Sequence, residues 1–173
     1  MFALCSSCKL KLTQVRNQKS NWEVELGVVI GKRGAYIVGA DALSHVVGFC
    51  VVKDVSERAF QIDRKGTWDK GKGCDTFGPP GSWLVTPDGV GDFDGLAMWC
   101  DVDGKRCQNG STSTMVYKAP LPISYFSRFI SLQQGDFIST GTPPGVGMRQ
   151  KPPVHLKGGE VMRLGIEKLG ERT

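Results

Sequence analysis

Trp22-Glu23-Val24-Glu25-Leu26-Gly27-Val28-Val29-Ile30 carries the clearest structural signal in the chain. Successive side chains of an extended backbone point to opposite faces. Trp22, Val24, Leu26 and Val28 therefore share one face, and Glu23, Glu25 and Gly27 share the other. The pattern predicts a strand from Trp22 to Ile30 with one wholly apolar face. Because the glutamates are flanked by Trp22 and the run Leu26 to Ile30, the strand is expected in the interior of a sheet, where an uncompensated pair of charges is costly.

Outward from this stretch the chain reads as short strands joined by turns. A turn at Lys32-Arg33-Gly34 leads to Tyr36–Val38, Asp41 reads as the cap of a short helix ended by Gly48, and the apolar run Phe49–Val52 reaches Asp54. Val55–Gln61 reads as a helical turn and 66–81 as a glycine-rich loop. Strands follow near Trp83–Val85 and Leu96–Val102. Asp103-Gly104 is a strong hairpin signal and Asn109-Gly110 a second turn. Leu121–Ser131 is a helix candidate, followed by a strand at Phe137–Thr140, the loop 141–147, and a final strand pair around His155 and Val161–Ile166. The expected class is α+β, predominantly β, with a rolled or sandwiched mixed sheet and two short helices. A length of 173 residues with 40% apolar content suits one domain, and 23 glycines and 9 prolines spread along the chain suit many tight turns.

The formal charge of +5 is local in origin. Lys9, Lys11, Arg16 and Lys19 stand in the first twenty residues, which contain no acid, and the remainder holds 18 basic against 17 acidic residues. Such a body offers no stripe for tracking phosphates, so a nucleic-acid partner is not expected. No run approaches eighteen apolar residues, so a soluble protein without a membrane partner is expected. Residues 1–20 read as a poorly ordered N-terminal segment ahead of the domain at 21–173. Six cysteines without a secretory signal read as reduced thiols in the cytoplasm. Cys5 and Cys8 form a lone CxxC, which lacks the second pair or nearby histidines that a zinc site needs.

Glu23 and Glu25 would set two carboxylates on one face, roughly 7 Å apart by strand geometry. They repel unless a cation lies between them, although Glu-x-Glu on the wet face of a strand is also common. Asp54, at the end of an apolar strand, could add a third oxygen ligand or could cap a helix. Three carboxylates completed by water suit Mg²⁺, Mn²⁺ or Ca²⁺ better than zinc. If residues 55–61 are helical, Asp54, Arg58 and Gln61 share one face, either as part of a site or as an ordinary exposed ion pair between Asp54 and Arg58. Lys72 lies between two glycines, where a backbone can approach a ligand and a lysine can reach an anion. Neither Gly71-Lys72-Gly73 nor the stretch from Gly27 to Lys32 has the spacing of a phosphate-binding loop, which removes a nucleotide site. The loop 141–145 is a plain turn on composition.

Four blocks, WEVELGVVIGK at 22–32, DVSERAFQ at 54–61, DKGKGCDTFGP at 69–79 and STGTPPGVGM at 139–148, together resemble the fumarylacetoacetate hydrolase family, in its C-terminal catalytic domain. The resemblance implies that Glu23, Glu25 and Asp54 are metal ligands and that Arg58 and Gln61 meet the substrate. It further implies that Lys72, with Arg58, is catalytic, that Thr76 lies beside the metal, and that Thr142 contacts the substrate's carboxylate. It implies the family's mixed β-roll, a homodimer, and Mg²⁺ or Mn²⁺ as cofactor.

The function expected from the resemblance is metal-dependent hydrolysis of a C–C bond in a small 2,4-diketo acid, an acylpyruvate or a sugar-derived acid, through a metal-stabilised enolate. The metal acts as Lewis acid, Lys72 steadies the developing oxyanion, and water is the nucleophile. A divalent ion with Arg58 and Lys72 outweighs three carboxylates by one charge, which favours an anionic substrate. Hydratase, isomerase, decarboxylase or lyase chemistry passes through the same enolate. Relatives carry a lid segment ahead of the first glutamate, where this chain has some twenty unmatched residues, so a truncated domain that binds metal or ligand without turnover is the alternative.

Overall fold

The alternating stretch forms a strand from Val24 to Ile30 in the interior of a sheet, paired on both sides, with Trp22 and Glu23 just ahead of it rather than within it. The computed structural model describes residues 19–173 and, by their backbone alone, residues 2–3; the Cys5/Cys8 pair and Lys9, Lys11 and Arg16 lie outside them. In chain order the strands are β1 (Phe2–Ala3), β2 (Ser20–Asn21), β3 (Val24–Ile30), β4 (Val46–Lys53), β5 (Ser56–Glu57) and β6 (Pro80–Val85). There follow β7 (Ala97–Val102), β8 (Lys105–Ser111), β9 (Phe137–Ser139), β10 (Met162–Ile166) and β11 (Gly170–Arg172). The helices are α1 (Trp68–Lys72), α2 (Pro87–Val90) and α3 (Pro120–Phe126), with a few short turns of tighter or wider helix.

Two sheets build the domain, in the orders β1-β6-β4-β3-β9 and β11-β10-β7-β8, with β2-β5 as a separate ribbon. Every pairing among the described residues is antiparallel. The core lies between the sheets. Val24, Leu26, Val28 and Ile30 of β3 and Phe49 and Val51 of β4 join Met98, Cys100, Leu164 and Ile166 in one buried cluster. Each such side chain contributes about 1.5–3 kcal/mol by leaving water. The fold is thus α+β, predominantly β, as the sequence implies.

The opposite face of β3 is also buried. Glu25, Gly27 and, across the strand boundary, Val52 and Cys50 of β4 lie on it in register. A Cβ on Gly27 would come within 2.6 Å of Val52 and 2.7 Å of Cys50 Sγ, so a larger residue there would force these side chains or the strand pairing to shift. Cys50, Cys74, Cys100 and Cys107 form no disulfide. Burial pushes the Cys50 thiol up to about 11 and the Cys100 thiol up to about 12, so both pack as small apolar groups.

Several local readings change. Asp103 (φ 47°) and Gly104 (φ 75°) do make the tight β7–β8 hairpin. Asn109-Gly110 does not turn: both residues lie inside β8, opposite Trp99 and Met98. Gly110 is there because Pro143 would stand 2.7 Å from a Cβ. Gly48 ends no helix; it belongs to β4, after a tight helix of about two turns at Gly39–His45. The loop at 66–81 contains α1. Residues Ser56–Glu57 are a strand against Ser20–Asn21, and only Ala59–Asp63 coil, as a wide helical turn. α3 begins at its favoured N-terminal proline, Pro120, and stops at Phe126, short of Ser131. His155 lies outside any strand, and β10 pairs with β11 instead. Lys19 and Ser20, the end of the stretch expected to be unstructured, are held by Glu57, whose carboxylate accepts from the Lys19 amide at 2.9 Å and the Ser20 hydroxyl at 2.7 Å.

Candidate functional site

The β3–β4 register brings three acids together. Val24 pairs with Lys53, and just beyond, the Asp54 amide donates to the Glu23 main-chain carbonyl at 2.9 Å. Glu23 and Asp54 thereby occupy adjacent strand ends, with Glu25 two residues into β3. One carboxylate oxygen from each of the three lies within 4.8 Å of the others, and all three residues are buried.

Two cations hold this group. The Arg58 guanidinium donates to Glu23 Oε1 and to Gln61 Oε1. The Lys72 ammonium donates to Glu23 Oε2 at 3.1 Å and to Asp54 Oδ2. Arg58 thus pairs with Glu23 rather than with Asp54, and the pair is buried, unlike the exposed Asp54–Arg58 contact weighed from spacing. Asp54, Arg58 and Gln61 do not share a helix face, because β5 intervenes; Arg58 begins the wide turn that carries Gln61. Lys72 ends α1. Gly71 serves packing rather than ligand approach: a Cβ there would sit 2.7 Å from Gln61 Cβ and 2.9 Å from the Glu57 carbonyl, and this close seating of α1 aims Lys72 at the acids.

The loop after β9, a plain turn by composition, closes the site. Ser139 Oγ and the Gly141 amide, the latter at 2.7 Å, both donate to Glu25 Oε2. The Trp22 indole donates to the Gly145 carbonyl at 3.0 Å. Thr142 is half-buried; its hydroxyl donates to the Val24 carbonyl at 3.0 Å and accepts from Gln108 Nε2 at 2.8 Å. Gln108 also accepts from the Val24 amide at 3.0 Å and donates to the Pro143 carbonyl at 2.8 Å, so it fixes the backbone between the two glutamates. Thr76 is half-buried in the loop after α1 and makes a polar interaction of its own. Gln108 and Ser139 carry no sequence pattern that marks them, since each acts through contacts more than thirty residues away.

Electrostatics follow from burial. Burial, with the Asp54 carboxylate adding to it, raises Glu25 to about 7 against the opposing bonds from Ser139 and Gly141. Glu23 is also raised by burial, against the pull of Lys72 and Arg58. Burial opposes the charge on Lys72, but Glu23 and Asp54 outweigh it and the ammonium titrates above its usual range.

Three converging carboxylates are hard oxygen donors, a set suited to Mg²⁺ or Mn²⁺, and no histidine or cysteine belongs to the group. Beside it opens a cleft of about 400 Å³ whose wall includes Arg58, Gln61, Ile62, Trp68, Met148 and Arg149. Arg58 Nε and Gln61 Nε2 are buried there without a hydrogen-bond partner among the described residues. Buried donors without a partner call for a group that the described residues do not supply. Among the described residues no helix is long and apolar enough to cross a membrane.

Comparison with known proteins places the chain among relatives of the same fold. A Burkholderia multivorans protein, provisionally named a hydrolase, is 59% identical over 155 residues, which cover 89% of this chain and 55% of that protein. A fumarylacetoacetate hydrolase from psychrophilic Exiguobacterium antarcticum superposes with a TM-score of 0.85 at 36% identity, covering 90% of this chain and 56% of that one. A fumarylpyruvate hydrolase from Pseudomonas aeruginosa, solved in complex with Mn²⁺ and pyruvate, superposes at 0.81 and 32% identity, covering 91% of this chain and 65% of that one. The chain therefore spans little more than half the length of the curated relatives it matches. The model of the fumarylacetoacetate hydrolase C-terminal domain matches residues 8–173, and with these folds and sequences in agreement the chain belongs to the fumarylacetoacetate hydrolase family.

Proposed function

We propose that this chain is the catalytic domain of a Mg²⁺- or Mn²⁺-dependent hydrolase that cleaves a C–C bond in a small 2,4-diketo acid. The observation that carries the reading is the convergence of Glu23, Glu25 and Asp54 beside a cleft with unused donors. These three residues would hold the ion, which when bound supplies Lewis-acid polarisation of the substrate's oxygens.

The chain's own residues account for the rest. Arg58, by donating to Glu23 and Gln61, fixes the orientation of one carboxylate and of the amide that faces the cleft. Arg58 and Gln61, which line the cleft, are the residues that would meet a substrate carboxylate. In the reaction, water adds to the C4 carbonyl and the C3–C4 bond breaks. Its electron pair goes to C3, which takes up a proton, releasing a 2-oxo acid and a carboxylic acid. Lys72, at the edge of the carboxylate group, would offset the negative charge that develops on oxygen. The β9 loop keeps Glu25 oriented through Ser139 and Gly141, and Thr142 holds the backbone of β3 from the same side.

We also propose a homodimer. Tyr36 (78% exposed) and Phe129 (70%) stand near one another, because the Tyr36 amide bonds Ser127 just after α3, and Val38, Tyr125 and Ile130 extend the apolar surface. A patch of this kind on a folded chain fits a second copy.

The test is loss of the diketo-acid absorbance of acylpyruvates by purified protein, with and without Mg²⁺ or Mn²⁺. Metal-dependent loss is expected, and inactivity across a panel of such acids in the presence of either metal would overturn the reading.

A further inference from the structure

We infer that Arg149 is a specificity-determining residue, reading a second anionic group at the far end of the substrate. The inference rests on the 2-oxo acid reading above and narrows its substrate to an acid with two carboxylates.

Arg149 lines the same cleft as Arg58 and Gln61. The two arginines differ in their surroundings. The guanidinium of Arg58 is neutralised by Glu23, whereas that of Arg149 makes no ion pair or hydrogen bond among the described residues. Arg149 is exposed, and Ile62, Trp68, Val146 and Met148 contribute apolar side chains to the rest of the lining. A cleft with one compensated cation beside the acids, an unpaired guanidinium and hydrocarbon in its wall complements a short carbon chain that ends in a carboxylate.

The backbone that carries Arg149 is fixed relative to the acids. It ends the single helical turn Gly147–Arg149, whose Met148 amide donates to Asn21 Oδ1 at 2.6 Å. Gly147 is pressed so closely that a Cβ would stand 2.1 Å from the Val154 carbonyl and 2.8 Å from the Trp22 ring. Asn21 and Trp22 immediately precede Glu23 in the chain. The turn is therefore clamped to the segment that delivers the first carboxylate, which sets the span between the acid cluster and the base of the Arg149 side chain before a ligand binds. A preorganised turn loses little freedom on binding.

The experiment is calorimetry on the Mg²⁺-loaded protein with chain-matched probes: 2-oxovalerate, a monoacid, against 2-oxoglutarate and 2-oxoadipate, which are diacids. The unsubstituted protein is expected to prefer at least one diacid over the monoacid by about tenfold. Arg149→Gln should remove that preference while leaving 2-oxovalerate affinity unchanged, and Arg149→Lys should restore part of it. Equal binding of monoacid and diacids, or a substitution that weakens all probes alike, overturns this inference and leaves the 2-oxo acid reading standing. Failure of every probe to bind the metal-loaded protein overturns both.

Discussion

The Asp54 amide and the Glu23 carbonyl are joined by a main-chain hydrogen bond of 2.9 Å, which sets two buried carboxylates side by side. Their repulsion is offset by Lys72, whose ammonium bonds both. Lys72→Met keeps an unbranched side chain, one atom shorter, and removes the charge together with its hydrogen bonds to Glu23 and Asp54. The metal-free variant is expected to lose about 2–3 kcal/mol, read as a lower urea midpoint, because breaking a buried pair strands the remaining charge. Saturating Mg²⁺ should recover most of the loss by replacing the missing positive charge. An equal loss with and without Mg²⁺ would mean that the lysine and the ion do not serve the same carboxylates.

Glu25 contributes differently, since among the described residues no cation bonds it and its partners are Ser139 and Gly141. Glu25→Gln removes one negative charge while preserving an oxygen for those donors. Calorimetry with Mn²⁺ should show affinity reduced by about a hundredfold or more, as expected when one of three anionic ligands is lost. The metal-free melting temperature should stay level or rise, because like-charge repulsion with Asp54 is relieved.

A pH dependence follows from the same residue. Burial and Asp54 raise Glu25 to about 7 from an ordinary value of 4.5. In the metal-free protein the folded state thus keeps a proton that the unfolded chain has released. Its contribution to stability falls as pH rises from about 4.5 to about 7 and is flat on either side. The steepest slope from one proton is about 1.4 kcal/mol per pH unit. Urea titrations in chelator should show this fall, and Glu25→Gln should show a shallower one. Mg²⁺ affinity should run the other way, rising with pH over the same window as the ion ceases to compete with the proton.

The apolar surface beyond α3 gives a separate prediction. Phe129→Asp places a charge where a second copy would dock, and Phe129 is exposed enough that the fold of one chain does not need it. Sedimentation should report a dimer for the unsubstituted chain and a monomer for the variant, with circular dichroism unchanged. A monomer in both cases would remove the proposed dimer without touching the site.

The period-two pattern of residues 22–30 was legible because each residue type agreed with its place: branched apolar side chains inward, glutamates and Gly27 on the other face. Asp54 was legible as the end of an apolar run. The hairpin at Asp103-Gly104 was legible because both residues tolerate the positive φ that the turn requires. Asn109-Gly110 shows the limit of the same rule. Its composition is that of a turn, yet β7 supplies a partner along its length and Pro143 occupies the space that a side chain at Gly110 would need. Nor could the local spacing of residues 54–61 show that Arg58 pairs with Glu23, 35 positions away, since that contact exists only after β3 and β4 have paired. Gln108, Ser139 and Arg149 are of this second kind. Their roles are set by which segments the sheets bring together, and nothing in their immediate neighbours encodes it.

Gly27 connects the sheet to the site most directly, and its replacement separates packing from ligand chemistry. In Gly27→Ala the new methyl would stand 2.6 Å from Val52 and 2.7 Å from Cys50 Sγ, well inside van der Waals contact, so those side chains or the β3–β4 pairing must shift. Overpacking of this kind costs about 1–3 kcal/mol. Because Glu25 faces Val52 one step along the same register, the shift also moves a carboxylate relative to Asp54, at the end of β4. The expected result is a lower urea midpoint together with Mn²⁺ affinity weakened by about tenfold. Leu26→Ala is the control, since Leu26 points into the core between the sheets. It should cost about 2–5 kcal/mol while the folded protein keeps its Mn²⁺ affinity. If both variants lost affinity in proportion to stability, ion binding would track global folding, and the β3–β4 register would not be what sets the spacing of the three acids.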